Sequence, residues 1–467
     1  MKTYNYIKFL TLCSIFILLS FSSYSQEEEK NEESDKEKKE KKEKTYSDII
    51  NDKAKTDIGL FDVHKVEDKF YYEINDTLLG RDMLMVTRIV NMSKEIPINR
   101  HKMSEQVLSW QKFDNKILLK EISYSNYASD SLAIKEAVSN ANFEPIIASF
   151  KIEVENKEKN SVVIDVTSLY KNDIKSFGYP QYSRKRNKIT ALDSKLSFIE
   201  SIRSFPMNIE AKHIKTYKSS EAKNGQISMV LNNSMILLPK EPMKRRYYDE
   251  RVGWFTTSQT DYGIDNQEAE TIRYLDRWRL EIKDEDIEKF KNGELVEPKK
   301  PIVYYVDRAT PIKWRKYLKQ GIEDWQAAFE SAGFKNAIIA KDPPTNEEDP
   351  EWSPEDIRYS VVRYLASPIP NANGPHVSDP RSGEIIESDI NWYHNVMKLL
   401  RNWYFIQTSA VDPNARGIEF KDELMGELIR FVSAHEVGHT LGLPHNMGSS
   451  SAFPVDSLRS VTFTKKY

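Results

Sequence analysis

Three histidines and a glutamate crowd into eleven residues near the end of this 467-residue chain: His435, Glu436, His439 and His445. On a helix, His435 and His439 stand one turn apart, so both imidazoles leave the same face and can converge on one ion about 2.0 to 2.1 Å from each ring nitrogen, the Zn–N distance. Glu436, rotated by about 100° from His435, is close enough to touch a water on that ion without entering its coordination sphere. A third ligand in a tetrahedral arrangement cannot come from the same helix, so the chain has to turn back. Gly442 tolerates the left-handed backbone that ends a helix, and Pro444 prevents the helix from resuming. His445 then closes the triad from the other side. The fourth position is left to water or substrate, as in a catalytic rather than a structural zinc site. Incidental histidines on a core helix explain the pattern poorly: its five fixed positions recur by chance in roughly one chain in 100,000 of this composition.

Those side chains need a helix, expected over Asp422–Leu441 with Asp422 as N-cap and an apolar stripe of Leu424, Leu428, Phe431 and Val432. The unit containing it is expected to begin at 297, within the charged, proline-containing boundary stretch Glu294–Pro301. Ile302–Val306 reads as a strand covered on both faces. Pro311 opens a helix with Trp314, Tyr317, Leu318, Ile322, Trp325 and Phe329 at intervals of three and four, and Gly333 closes it. Strands follow at Ala337–Ala340 and Ile357–Leu365. The turn at Asp379–Gly383 then leads into an edge-type strand, Glu384–Trp392, with Ile386, Ile390 and Trp392 on one face; an interior strand is the alternative. Residues 297–467 are therefore expected to form a mixed sheet with two long helices.

Residues 46–296 read as a β-rich region of one or two domains, with strand-type runs at Lys69–Ile74, Asp82–Val90, Ile117–Tyr124, Pro145–Glu155, Ser161–Val166, Gln226–Leu238 and Thr271–Ile282. The clearest alternation sets Phe150, Ile152 and Val154 against Lys151, Glu153 and Glu155. This region contains no metal-ligand spacing, phosphate loop or nucleophile elbow, and His64, His101 and His213 stand alone. The whole chain is expected to be α+β.

Composition narrows the remaining choices. Sixty-eight basic residues nearly balance 71 acidic ones, which argues against nucleic acid as a partner. The only cysteine, Cys13, permits no internal disulfide and no thiolate ligand in the folded part. Residues 1–25 read as a cleavable signal peptide: Lys2 and Lys8 flank a short N-terminal region, Phe9–Phe21 is mainly apolar, and Ser23 and Ser25 supply small residues for cleavage. The apolar run is short of the roughly 20 residues needed to span a bilayer, so no stable membrane span is expected after cleavage. Residues 26–45 read as a solvated tether; from Glu27 to Lys44, nine acidic residues and seven lysines leave nothing to bury. Export to the periplasm, outer envelope or exterior follows from this reading.

The stretch from His435 to Asn446 resembles the metzincin metallopeptidases. Together with Tyr247–Phe255, Asp356–Tyr364 and Asp379–Ile386, it is similar to a family of large secreted bacterial zinc metalloproteases that carry two uncharacterised domains ahead of the catalytic one. The resemblance implies Zn2+ held by His435, His439 and His445, Glu436 as general base, and Gly383–Trp392 as the rim strand for a protein or peptide substrate. It implies an endopeptidase in which Glu436 activates a zinc-bound water. Metzincins also place a methionine turn beneath the zinc. Only 22 residues follow His445, and Met447 is too near to form that turn, so the C-terminal subdomain is expected to be missing and this chain alone to be weakly active or inactive. A binding or scaffold module, or another zinc hydrolase acting on amides or esters, are the competing readings. Oligomeric state is not readable.

Overall fold

A computed structural model describes residues 44–92 and 101–466; the signal peptide and nearly all of the tether lie outside the described residues. Thr45–Tyr467 forms one compact unit of mixed helix and sheet, β-rich in its N-terminal part.

The N-terminal part is built on a 12-stranded antiparallel sheet. Its long central strands are Asp82–Met92 (β1), His101–Phe113 (β2), Asn208–Ser219 (β3) and Gln226–Leu237 (β4), in the spatial order β2-β1-β4-β3. One face buries Phe61, Tyr72, Met85, Trp110, Phe150 and Met235. The expected alternation over Phe150, Ile152 and Val154 is interrupted: a bulge between Ile152 and Val154 leaves the first two in this core and sends Val154 to a separate cluster with Tyr71 and Val163. The expected strand Thr271–Ile282 ends at Leu275, and the chain continues without pairing as a regular strand. β3 lies outside the expected runs because it is rich in polar residues, several of them buried. Glu210 accepts bonds from Asn208, Asn232 and Ser234, while Lys215 donates to the carbonyls of Tyr170 and Asn172.

The C-terminal part carries a five-stranded sheet: Ile302–Val306 (β5), Ile338–Lys341 (β6), Ser360–Leu365 (β7), Ala372–Asn373 (β8) and, after the short strand Glu384–Glu387 (β9), Ile390–Tyr393 (β10). Their order is β6-β5-β7-β10-β8, parallel except for β8. The expected edge strand Glu384–Trp392 is thus corrected. It divides at Ser388: β9 pairs with Val377–Asp379 in a separate two-stranded sheet, and β10 is interior, with β8 at the edge. Asp389 breaks the run because its carboxylate turns back to the Val361 N–H and the Arg363 guanidinium.

Helix α1 (Ile312–Glu323) is followed by a short helix at Gln326–Ser331 and by Gly333 at φ +92°, as the glycine stop predicts. Helix α2 (Val396–Thr408) is a third long helix beyond the two expected, and helix α3 (Asp422–Thr440) carries the histidines. Lys421, not Asp422, flanks the start of α3. Its buried face is also rotated from the expected stripe: Met425, Ile429, Val432 and Val437 are buried, whereas Phe431 is 64% exposed. Two glycines set this rotation. A β-carbon on Gly321 of α1 would collide with the Arg430 carbonyl and the Ser433 side chain of α3, and one on Gly426 would collide with the Tyr317 ring. Gly321→Ala should therefore cost about 1–3 kcal/mol by overpacking, more than the gain of about 1 kcal/mol in helix propensity. Urea unfolding that shows no loss of stability would refute this close approach.

The two parts meet across a mixed apolar and ionic seam. Leu84, Val86, Val107 and Ile236 cluster with Ile357 and Val377. Arg88 of β1 pairs with Glu387 of β9 at 2.9 Å, and Arg381 pairs with Asp82 at 3.0 Å.

Candidate metal centre

The structure brings His435, His439 and His445 together. Their ligating atoms all lie within 4.8 Å of one another, and the Nε2 atom of His445 is 3.2 Å from the Nε2 atoms of both His435 and His439. Four tetrahedral ligands about 2.05 Å from an ion sit about 3.3 Å apart, so these spacings fit a cation at their centre. One neutral imidazole nitrogen has a single proton or a single lone pair, so hydrogen bonding alone cannot satisfy both short contacts at His445. The Nδ1 of His439 lies 2.7 Å from the Leu443 carbonyl oxygen. Nδ1 must then be the protonated nitrogen, which leaves the Nε2 lone pair pointing at the centre. His435 and His445 are exposed and His439 is half-buried, so the centre opens to solvent. Burial and the two neighbouring imidazoles push the His435 pKa down, in the direction that favours a neutral ligand.

Glu436 faces inward at 6% exposure. Burial pushes its pKa up to about 7, against the opposing effect of a hydrogen bond from the Gly374 N–H. Its Oε2 has no hydrogen-bond partner among the described residues. Glu436 directly follows His435 on α3, and a buried carboxylate oxygen without a partner among the described residues has the chemistry of a proton acceptor.

Gly374 approaches Glu436 closely, a contact that motif reading misses. It follows β8 directly, and a β-carbon there would collide with the Glu436 carbonyl oxygen. The only sequence signal is the Asn373-Gly374-Pro375 turn dipeptide chemistry, which marks a loop and not a site. Trp254 and Phe255, within the stretch Tyr247–Phe255 that carries the family resemblance, and Trp278 receive no role at the site from sequence reasoning. The Phe255 N–H donates to the Gly442 carbonyl at 2.7 Å, its ring lies 6.1 Å from that of His439, and the Trp278 indole donates to the Thr440 carbonyl at 2.9 Å. Gly442 adopts φ +107°, the left-handed conformation expected of it.

Four other histidines have partners of their own outside the triad. His376 contacts Asp276 at 3.1 Å and packs 5.5 Å from Phe255, while His394 contacts the Tyr364 hydroxyl. His64 meets Glu73 and His213 meets Asn233, both inside the β-rich part. Met447 is 76% exposed.

Comparison with known proteins agrees with this geometry. The family model described as Met-zincin matches residues 417–467, which include α3, its turn and all three histidines. Two models of domains of unknown function, DUF5118 and DUF5117, match residues 43–92 and 101–283. No curated protein matches the chain, and no solved structure does. The Met-zincin match is confined to residues 417–467 and suggests, at family level, a zinc-dependent metallopeptidase. Among the described residues, no helix is long and apolar enough to cross a membrane.

Proposed function

We propose that the chain is an exported zinc endopeptidase, with His435, His439 and His445 as the ligands and Glu436 as the general base. The observation that carries this reading is the convergence of three imidazole nitrogens, with the glutamate that follows the first of them buried and one of its oxygens without a partner among the described residues. Zinc bound there supplies Lewis-acid polarisation of a carbonyl and acidifies water. Glu436 accepts the proton of the attacking water and delivers it to the departing amine nitrogen. Its raised pKa supports both roles, since a carboxyl group near neutrality can take and return a proton.

The substrate is a protein or peptide in extended form. β8 pairs only with β10 among the described residues, so its other edge is available for main-chain hydrogen bonds along Ala372–Asn373, beside the Gly374 N–H that meets Glu436. Binding through main-chain groups makes affinity depend weakly on sequence. Residues 1–25 would direct export, and residues 26–45 would tether the folded unit; 46–296 and 297–467 are the β-rich and catalytic regions.

Elemental analysis should find one zinc per chain, reduced to near zero in His439→Ala, because losing one of three protein ligands removes the closed geometry. The zinc-loaded chain should then cleave a denatured protein in preference to a chromogenic ester. Absence of zinc after reconstitution would sink the reading, and ester turnover without peptide cleavage would favour a different hydrolase.

A further inference from the structure

We propose that the segment 253–278, within the stretch of unknown function 101–283, is a working part of the metal centre, with Trp254, Phe255 and Trp278 as positioning residues for the turn that carries His445. The inference rests on the three-histidine metal reading and assigns a role to a region that motif chemistry leaves blank.

The last turn of a helix leaves carbonyls without intrahelical partners. At the end of α3, residues from 253–278 close two carbonyls of the terminal turn: Trp278 Nε1–H donates to Thr440 O at 2.9 Å, and Phe255 N–H donates to Gly442 O at 2.7 Å. The turn between them is also shaped from outside. Gly442 is at φ +107°, and a β-carbon there would collide with the Trp254 indole nitrogen and the Asp276 carbonyl oxygen. These two atoms are bonded to each other, Trp254 Nε1–H donating to Asp276 O at 2.7 Å, so they act as one rigid wall. Asp276 is fixed in turn by Thr257 Oγ1 at 2.6 Å and by His376 Nε2 at 3.1 Å.

The consequence for the metal ligands is direct. Leu443, one residue past Gly442, supplies the carbonyl that holds the His439 tautomer, and His445 follows two residues later. A shift in the Gly442 turn therefore moves two of the three ligands together. The segment is held on its other side as well: Arg277 exchanges main-chain bonds with Gly383 and Ile385, and Arg279 pairs with Glu384 at 2.5 Å. The β-rich part thus reaches the metal centre through a short, doubly anchored strip.

The test uses the full chain with Trp278→Phe and Trp254→Phe, which keep an aromatic ring but lose the indole N–H and part of the ring volume. A third variant, Leu119→Ala, is a control for general destabilisation in the buried core of the large sheet. Zinc affinity is measured by chelator competition, coordination geometry by visible absorption of the Co2+-substituted chain, and stability by thermal unfolding. Both tryptophan variants should bind zinc about 10–100-fold more weakly and change the Co2+ bands, as loss of outer-shell support does. Leu119→Ala should lower the melting temperature and leave both metal readouts unchanged. Tryptophan variants that bind zinc within about two-fold of the parent, with unchanged Co2+ bands, would overturn the proposal whatever their melting temperatures. A variant that does not fold is replaced by Phe255→Leu, which keeps the N–H to Gly442 and removes the ring beside His439, and the same two readouts decide. A parent chain that takes up neither zinc nor Co2+ would overturn the three-histidine reading and this proposal with it, so the two failures are distinguishable.

Discussion

Glu436→Gln is expected to lower peptide hydrolysis by about 10²–10⁴-fold, the range contributed by a positioned general base, while zinc stoichiometry stays at the parent value. The amide is nearly isosteric with the carboxylate, so the buried site keeps its shape, and the side chain is not a ligand. On the proposed mechanism the substitution removes the group that accepts the water proton. In the parent, Glu436 Oε2 is buried without a partner among the described residues, and the Gly374 N–H donates to the carboxylate. Single-turnover kinetics on a quenched peptide would measure the effect, with zinc content determined on the same sample. Activity within about ten-fold of the parent, at full zinc, would remove Glu436 from the base role. Gly374→Ala offers a milder version: its β-carbon would push the edge strand away from the Glu436 backbone, so turnover should fall without loss of zinc.

The second large effect concerns stability. Arg88→Met should cost about 3–5 kcal/mol in chemical unfolding, because it leaves the Glu387 carboxylate buried without its guanidinium. Both partners are shielded from solvent, with side chains 15% and 7% exposed, and the guanidinium bonds both carboxylate oxygens, at 2.9 and 3.2 Å. Burial already pushes the Glu387 pKa up, and Arg88 opposes that push; without Arg88 the carboxyl group should take up a proton. The double variant Arg88→Met/Glu387→Met should recover much of the loss, since replacing a buried pair by apolar groups costs far less than orphaning one member. A single variant as stable as the parent would show that the seam between the β-rich and catalytic parts does not depend on this pair.

The helix that carries the site was legible because its chemistry is local. His435 and His439 share a face through a spacing of four, and Gly442 and Pro444 announce the turn that brings back His445. Local periodicity was equally informative for Ile302–Val306 and for the Gly333 stop. It failed where burial is decided by a distant neighbour. Phe431 belongs to an apolar stripe by spacing, yet Gly321 and Gly426 let α1 approach a different face of α3 and leave Phe431 in solvent. Glu384–Trp392 looks like one alternating strand until Asp389 finds Arg363 across the sheet. β3 looks too polar for an interior strand because its bonding partners, such as Asn232 and Ser234, belong to β4.

The amino-acid order alone therefore determined the candidate ligand set, the proposed proton acceptor and the turn between them, since these lie within eleven consecutive residues and obey helix geometry. Tertiary structure alone decided what surrounds them. Gly374 reaches Glu436 from more than 60 residues away in the chain, and Trp254, Phe255 and Trp278 reach the Gly442 turn from more than 160. Such contacts leave no periodic trace, because a hydrogen bond between distant segments depends on how whole sheets dock and not on the spacing of neighbouring residues.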